Sequence, residues 1–309
     1  MQIFKPKFWD AKINIISIIL WPFSLLLQVL ILLKEKIIIS KKFDISVICI
    51  GNIYLGGTGK TPVSILINNE LERLKKKSVI IKKFYKNHID EHRLIKKETG
   101  SLILNKKRSD ALLEAKKKGY EVAILDDGFQ DYAIKKDLSI LCFTSKQLIG
   151  NGLILPAGPL REGLNSIKKS KILIINGNKN RSFEKKIFNI SKEIRVFYSK
   201  YEPSNISEFK NKNVLAFAGI GNPINFFDIL NNNGFTVKKR ISFPDHYKYN
   251  KEELKKIINE SKKNKLEIIT TEKDYLRIKS YGFKNIKYLK IKLKIYKKKN
   301  LIKEILKYI

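Results

Sequence analysis

The chain has 309 residues, 43% of them hydrophobic, and a formal net charge of +34. That length fits one large or two moderate domains, and the apolar content excludes a disordered chain. The charge invites a nucleic-acid reading, but only eight of the 63 basic residues are Arg, and lysines are spread through nearly every polar segment. No aromatic-basic RNA motif or recognition helix accompanies them, so no nucleic acid is expected as a partner. The surplus still attracts anionic partners, among them acidic lipids and phosphorylated substrates.

Residues 13–33 are 21 positions without a charge, bracketed by Lys12 and Lys34. The run is long enough to cross a bilayer, and too long for a cleaved signal. Asn14, Ser17, Trp21, Ser24 and Gln28 step by three, four, three and four, which on a helix makes one narrow stripe among Ile, Leu, Val and Phe. Pro22 kinks or splits the helix. A spanning anchor, an interfacial helix and a buried core helix compete. The stripe favours the interfacial helix, polar side towards protein or water and apolar side in lipid. Lysines at both ends leave the topology undecided.

Residues 45–50 form a short β-branched apolar run, the pattern of a strand buried on both faces. GNIYLGGTGKTP (51–62) follows, then a helix-forming stretch. Strand, glycine-rich turn and helix start are what a phosphate-binding loop needs. Gly56, Gly57, Thr58 and Gly59 would curl backbone N–H groups around phosphate oxygens, Lys60 would reach the outer phosphates, and the Thr61 hydroxyl would ligate Mg²⁺. Tyr54 stands where the strict pattern has its first glycine. A turn that binds no nucleotide is the plainer alternative, but the strand-turn-helix setting favours a nucleoside triphosphate.

Residues 78–82 read as a second strand. HIDEH (88–92) gathers two histidines with Asp90 and Glu91, either a metal cluster or exposed loop residues. The apolar run 121–125 ends in Asp126 and Asp127, and carboxylates at the C-terminal end of a parallel strand face the ligand crevice and hold Mg²⁺. An Asp-Gly turn is the bland reading. Cys49 and Cys142 lie in apolar strand-like runs without C-x-x-C spacing, which suits buried structural thiols. Strands are expected at 138–143 and 171–175, with LPAGPLRE (155–162) between them. Its Arg161 suits phosphate, although a surface Arg161–Glu162 ion pair fits the spacing as well. The stretch 176–213 is polar, with a strand at 195–199. A second α/β unit starts at 214–218, with a turn at 219–223 and a helix after it. FPDH (243–246) carries His246, and a strand at 266–270 precedes Thr271 and Asp274. The alternation implies mainly parallel sheets in two layered α/β domains: a P-loop NTPase-like domain over 37–200, a smaller one over 201–309, and a membrane-associated helix over 1–36.

In order and spacing, GNIYLGGTGKTP (51–62), IDEHRLI (89–95), DDGFQ (126–130), LPAGPLRE (155–162), FAGIGNP (217–223), FPDH (243–246) and TTEKD (270–274) resemble the tetraacyldisaccharide 4'-kinases of lipid A biosynthesis. That family's phosphate loop also lacks the first glycine. The resemblance implies transfer of the ATP γ-phosphate to the 4'-hydroxyl of a lipid-linked glucosamine disaccharide 1-phosphate, at the cytoplasmic face of the bacterial inner membrane. It also implies that Lys60 and Thr61 hold phosphate and Mg²⁺, with Asp127 and Asp126 assisting the metal. Asp90 matches the family's general base, His246 the histidine paired with it, and Arg161 and Glu162 residues lining the nucleotide and metal site. Two departures stand out: KKFYKN (82–87) replaces an Arg-Gly-Tyr string, and Asp131 stands where the family often has His. A membrane-associated P-loop ATPase or GTPase acting as a conformational switch is the alternative. It leaves Asp90, His246 and LPAGPLRE without a task.

Overall fold

The computed structural model describes residues 6–10, 13–85, 89–209, 212–245 and 247–309. His246 therefore lies outside the described residues, as does His88. Contacts group the chain into two compact units: one runs to Phe84 and includes Thr99–Lys200 and Lys294–Ile309, and the other comprises Tyr85–Glu98 and Tyr201–Leu293.

Helix α1 (Ile15–Ile37) is capped by Asn14, whose side chain accepts from the Ser17 N–H at 3.0 Å. It is long and apolar enough to cross a membrane, yet little of it is buried against the protein. Ser17 and Ser24 are its buried members, while Ile15, Ile19, Leu26 and Leu30 are more than half exposed. The serines of the polar stripe thus face the protein and the apolar faces point away from it, while Trp21 of the stripe is exposed. Ser24 Oγ donates to the Ile154 carbonyl at 2.8 Å and accepts from the Ala157 N–H at 3.0 Å, and Asn151 Nδ2 donates to Ser17 Oγ at 3.2 Å.

The large sheet has the order β12-β7-β6-β5-β1-β4-β2-β3. Its strands are β1 (Ser46–Gly51), β2 (Ser78–Lys83), β3 (Leu102–Asn105), β4 (Val122–Asp126), β5 (Leu138–Thr144), β6 (Ile172–Asn176), β7 (Arg195–Pro203) and β12 (Ile291–Ile295). From β3 through β7 every neighbouring pair is parallel. β1, β2, β4, β5 and β6 are almost wholly buried, as strands covered on both faces must be. Helices α2 (Lys60–Arg73), α4 (Arg108–Lys117), α5 (Arg181–Ile190) and α9 (Lys298–Ile305) belong to the same unit. α5 falls in the polar stretch read as a boundary; its Phe183 and Ile187 are buried in the core. Cys49 and Cys142 are fully buried in β1 and β5, which pushes their thiols up to about 11 and about 12, so neither is a nucleophile near neutral pH.

The smaller sheet, β11-β10-β8-β9, is parallel throughout. It comprises β8 (Asn213–Ala218), β9 (Thr236–Ser242), β10 (Glu267–Thr271) and β11 (Ile286–Leu289), with α3 (Ile89–Thr99), α6 (Pro223–Asn232), α7 (Lys251–Lys263) and α8 (Glu272–Ile278) in the same unit. Period-two alternation along β8 divides its core. Val214, Ala216 and Ala218 pack with Phe226, Phe227 and Leu230 of α6, whereas Leu215 and Phe217 pack with Leu254, Ile257 and Ile258 of α7. Asn250 and Glu253 form a capping box at the start of α7.

Gly51, the last residue of β1, is fixed by closeness to β4's following turn: a Cβ there would lie 2.4 Å from the Phe129 Cβ. Gly51→Ala is therefore expected to destabilise the fold by about 1–3 kcal/mol through overpacking. A urea midpoint equal to that of the wild type would contradict this packing.

Candidate phosphate-binding site

The glycine loop leaves β1 and is shaped by its polar anchors. Asn52 Nδ2 donates to the Tyr54 carbonyl at 2.5 Å and to the Gly56 carbonyl at 3.2 Å. Tyr54 is fully buried and its hydroxyl donates to Asp10 Oδ1 at 2.8 Å, so the residue replacing the first glycine pins the loop instead of bending it. The bending falls to Gly56 (φ 139°) and Gly59 (φ 86°), both in the left-handed region where a side chain is strained. Gly59 caps α2, so the first N–H groups of that helix and the positive end of its dipole face into the loop.

Asp126 and Asp127 end β4 with opposite surroundings. Asp126 has no exposed surface. Its Oδ2 accepts from Thr61 Oγ1 at 3.0 Å and from Lys82 Nζ at 2.6 Å, and its Oδ1 from Ser64 Oγ at 3.4 Å. Asp127, in the left-handed region at φ 60°, donates its N–H to the Ile50 carbonyl at 2.8 Å. Its carboxylate is a third exposed; Lys60 Nζ lies 3.6 Å from it and Arg161 Nη1 3.1 Å. Partial burial works to raise the Asp127 carboxyl, but Lys60, Arg161, Lys82 and Arg108 overcome it and hold it below the usual carboxylate range. Arg108 Nη2 also donates to the Asp127 carbonyl at 2.6 Å, and Gln130 Nε2 to the Asn52 carbonyl at 3.0 Å.

Arg161 and Glu162 sit on the 151–163 loop that carries α1, and the Arg161 N–H donates to the Ile53 carbonyl at 2.6 Å. They do not simply pair with each other on the surface: Arg161 turns to Asp127, and Glu162 is buried, 3.5 Å from Lys169 Nζ. Among the described residues, Glu162 Oε1 and Thr58 Oγ1 are buried without a hydrogen-bond partner, and so are the Nε atoms of Arg108 and Arg161. Buried donors on two guanidiniums suit an anion, and a buried carboxylate oxygen suits a cation. No group of three or more His, Cys, Asp or Glu poised for a metal occurs among the described residues. A Mg²⁺ held largely by phosphates and water needs fewer protein ligands than that, so the residues fit it.

Asp90 and Glu91 open α3, in the other unit. Asp90 is buried; Arg277 Nη2 donates to its Oδ2 at 2.7 Å. Arg277 Nη1 donates to Asp274 Oδ1 at 2.7 Å and to the Gly219 carbonyl at 2.6 Å. Asp274 in turn accepts from the Gly219 N–H, the Tyr249 hydroxyl and the Thr271 hydroxyl. Burial alone would lower the Arg277 pKa, but the Asp274 and Asp90 carboxylates raise it. Glu91 pairs with Lys273. Sequence reasoning assigned no role to Lys82, Arg108 or Arg277. A usable signal existed for the two arginines: in a chain with eight Arg, a planar, multidentate cation is rare enough to note, although others such as Arg73 are exposed.

A parallel sheet, a glycine loop capping the following helix, and an acidic strand end beside it define a P-loop NTPase-like protein. The family model for tetraacyldisaccharide-1-P 4'-kinase matches residues 16–309, and the chain belongs to that family. A tetraacyldisaccharide 4'-kinase of Pelagibacter ubique is 44% identical, over 99% of this chain and 98% of its own length, and one of Rickettsia bellii is 32% identical over 90% of each. Among solved structures, the LpxK protein of Aquifex aeolicus, described as an "apo" form in complex with ATP, superimposes with a TM-score of 0.73. It is 28% identical and covers 95% of this chain and 99% of its own.

The depressed Asp127 carboxyl has a signed consequence for stability. A carboxylate whose folded pKa is lowered contributes fully above its unfolded pKa of about 3.9 and loses that contribution as pH falls through the folded value. In chelator-treated protein, the stability advantage of the wild type over Asp127→Asn is expected to be constant near neutral pH and to shrink below about pH 4. Urea denaturation across pH checks this, and a difference independent of pH would refute it.

Proposed function

We propose that the chain transfers the γ-phosphoryl group of ATP to the 4'-hydroxyl of tetraacyldisaccharide 1-phosphate, a lipid-linked glucosamine disaccharide of lipid A biosynthesis. Family membership over residues 16–309 supports the reaction. The observation in this chain that carries it is the Lys60–Asp127–Arg161 cluster at the mouth of the glycine loop, beside guanidinium Nε atoms that are buried without a hydrogen-bond partner.

In this reading Gly56, Gly57, Thr58 and Gly59 give backbone N–H groups to the phosphates, and Lys60 and Arg161 neutralise their charge. Thr61, Asp127 and Glu162 hold Mg²⁺, and Asp126 supports Thr61 from behind. When bound, Mg²⁺ would supply neutralisation of the phosphates' developing charge. The substrate's 4'-oxygen forms a bond to the γ-phosphorus, the bond from phosphorus to the β,γ-bridging oxygen breaks, and ADP leaves. Asp90 takes the hydroxyl proton, its carboxylate oriented by Arg277, with His246 as its partner by resemblance. Such positioning matters more than covalent chemistry in phosphoryl transfer, and a placed base adds roughly 10²–10⁴ in rate.

The exposed apolar faces of α1 support attachment to a lipid surface, and use of ATP supports the cytoplasmic face of the inner membrane. An acylated acceptor is then met where it resides.

Purified protein with ATP, Mg²⁺ and the disaccharide 1-phosphate lipid is expected to yield the bisphosphorylated lipid. ATP consumed without it would instead favour a conformational-switch ATPase. Asp90→Ala is expected to lower kcat by about 10²–10⁴ with little change in the ATP KM; an unchanged kcat removes Asp90 as the base. Charging the outer face of α1 with Ile19→Glu and Leu30→Glu leaves its inward serines intact. That variant is expected to remain folded but no longer to sediment with anionic vesicles, and undiminished sedimentation would place the attachment elsewhere.

A further inference from the structure

Lys82 has no task in the reaction as set out above, yet it occupies a demanding position. It is the register partner of Asp126 across β2 and β4, at the C-terminal edge of the sheet where the glycine loop opens. Its side chain is 8% exposed, that of Asp126 is 0% exposed, and the two meet at 2.6 Å. Burying an amine and a carboxylate costs more in desolvation than an exposed pair would, so the position calls for an explanation beyond stability.

The hydrogen-bond directions supply one. Thr61 has a single hydroxyl proton, and it is given to Asp126 Oδ2. The lone pairs of Thr61 Oγ1 are thereby left for a cation. Asp126 can hold that proton in place only while it stays turned towards α2, and Lys82 on the same oxygen at 2.6 Å fixes that orientation; the Ser64 hydroxyl, 3.4 Å from the other oxygen, lies closer to the Lys60 carbonyl at 3.1 Å. Asp127 next door differs: it is a third exposed, and its cationic neighbours are Lys60 and Arg161.

We propose that Lys82 is a positioning residue of the metal end of the site, a resident counter-cation that holds Asp126 on Thr61. Asp126 then acts through the threonine hydroxyl and not as a direct ligand, and the nucleotide-bound metal meets Thr61, Asp127 and Glu162. This rests on the nucleotide-site reading above. It also gives the departure at KKFYKN (82–87) a physical consequence: the first lysine of that string is built into the site.

The sign of one measurement separates this from the simpler view in which Lys82 merely competes with the metal for Asp126. Mn²⁺ replaces Mg²⁺, and free Mn²⁺ is followed by electron paramagnetic resonance as it titrates the full-length protein saturated with a non-hydrolysable ATP analogue. Lys82→Met is expected to weaken Mn²⁺ binding about tenfold, the usual loss when the partner of a metal ligand is removed. Affinity for the metal-free analogue should stay unchanged. Combined with Asp126→Asn, it should add nothing, because both substitutions break one chain of contacts. Should Lys82→Met fail to fold, the double variant leaves no buried charge unpaired and carries the titration with the same expected loss. Mn²⁺ binding that is unchanged or tighter in Lys82→Met overturns the proposal, and so does an equal loss of metal-free analogue binding, which would mean general damage. If the wild type binds no analogue with Mn²⁺, the nucleotide-site reading falls and this proposal with it. Binding by the wild type with either overturning result rejects the role of Lys82 alone.

Discussion

Asp126 has no exposed surface, and a carboxylate there is tolerable because Lys82 and Thr61 donate to it and the Ser64 hydroxyl, shared with the Lys60 carbonyl, lies beside it. Those three partners come from β2 and from the first turn of α2, so one buried charge ties the edge of the sheet to the helix that closes the glycine loop. The neighbouring Asp127 completes the clamp by another route. Its left-handed backbone lets its N–H reach the Ile50 carbonyl of β1 while its side chain meets Lys60 and Arg161. The geometry of the loop is therefore set by electrostatics at the end of β4 as much as by its own glycines.

The same economy governs α1. Ser24 bonds to the backbone of the 151–163 loop, Ser17 accepts from the Asn151 side chain, and Trp9 Nε1 donates to the Pro156 carbonyl at 2.9 Å. Gln28 approaches Gly163, and Glu35 pairs with Lys169, whose amine also lies 3.5 Å from Glu162. The polar stripe is consumed in shaping the loop that delivers Arg161 and Glu162. What remains on the outside is Ile, Leu, Val, Phe and Trp21, all exposed among the described residues. An exposed apolar surface and a loop-shaping surface are thus two sides of one helix.

Where a strand is covered on both faces, its sequence is a continuous apolar run, and β1, β4, β5, β6, β8 and β10 were legible for that reason. The glycine loop and the paired aspartates were legible because their chemistry is local: residues adjacent in sequence do the work. Other features depend on partners far along the chain. Tyr54 is an anchor by virtue of Asp10, and Lys82 matters by virtue of Asp126, 44 positions later. In a chain with so many lysines, one lysine at a strand end carries no mark of its own. α5 was hidden by the same composition, since its two buried residues are separated by a lysine-bearing turn. The exchange that groups Tyr85–Glu98 with Tyr201–Leu293 leaves no local trace at all.

Asp90 and Glu91 are adjacent and both acidic, and what holds each one sets them apart; that difference supports the proposed role of Asp90 as base. Glu91 meets Lys273, a flexible single-point cation that fixes little in direction. Asp90 is 4% exposed and meets a planar guanidinium. That guanidinium is itself immobilised by Asp274 and the Gly219 carbonyl, and Asp274 is locked by two hydroxyls and a backbone N–H. Every link in this series is a hydrogen bond to a group that has little freedom to move. A base must lie within hydrogen-bond reach of the proton it takes, and a carboxylate braced in this way keeps its direction while a substrate binds. The TTEKD segment (270–274) and Arg277 are thus the frame behind Asp90, whereas the cation that meets Glu91 is Lys273.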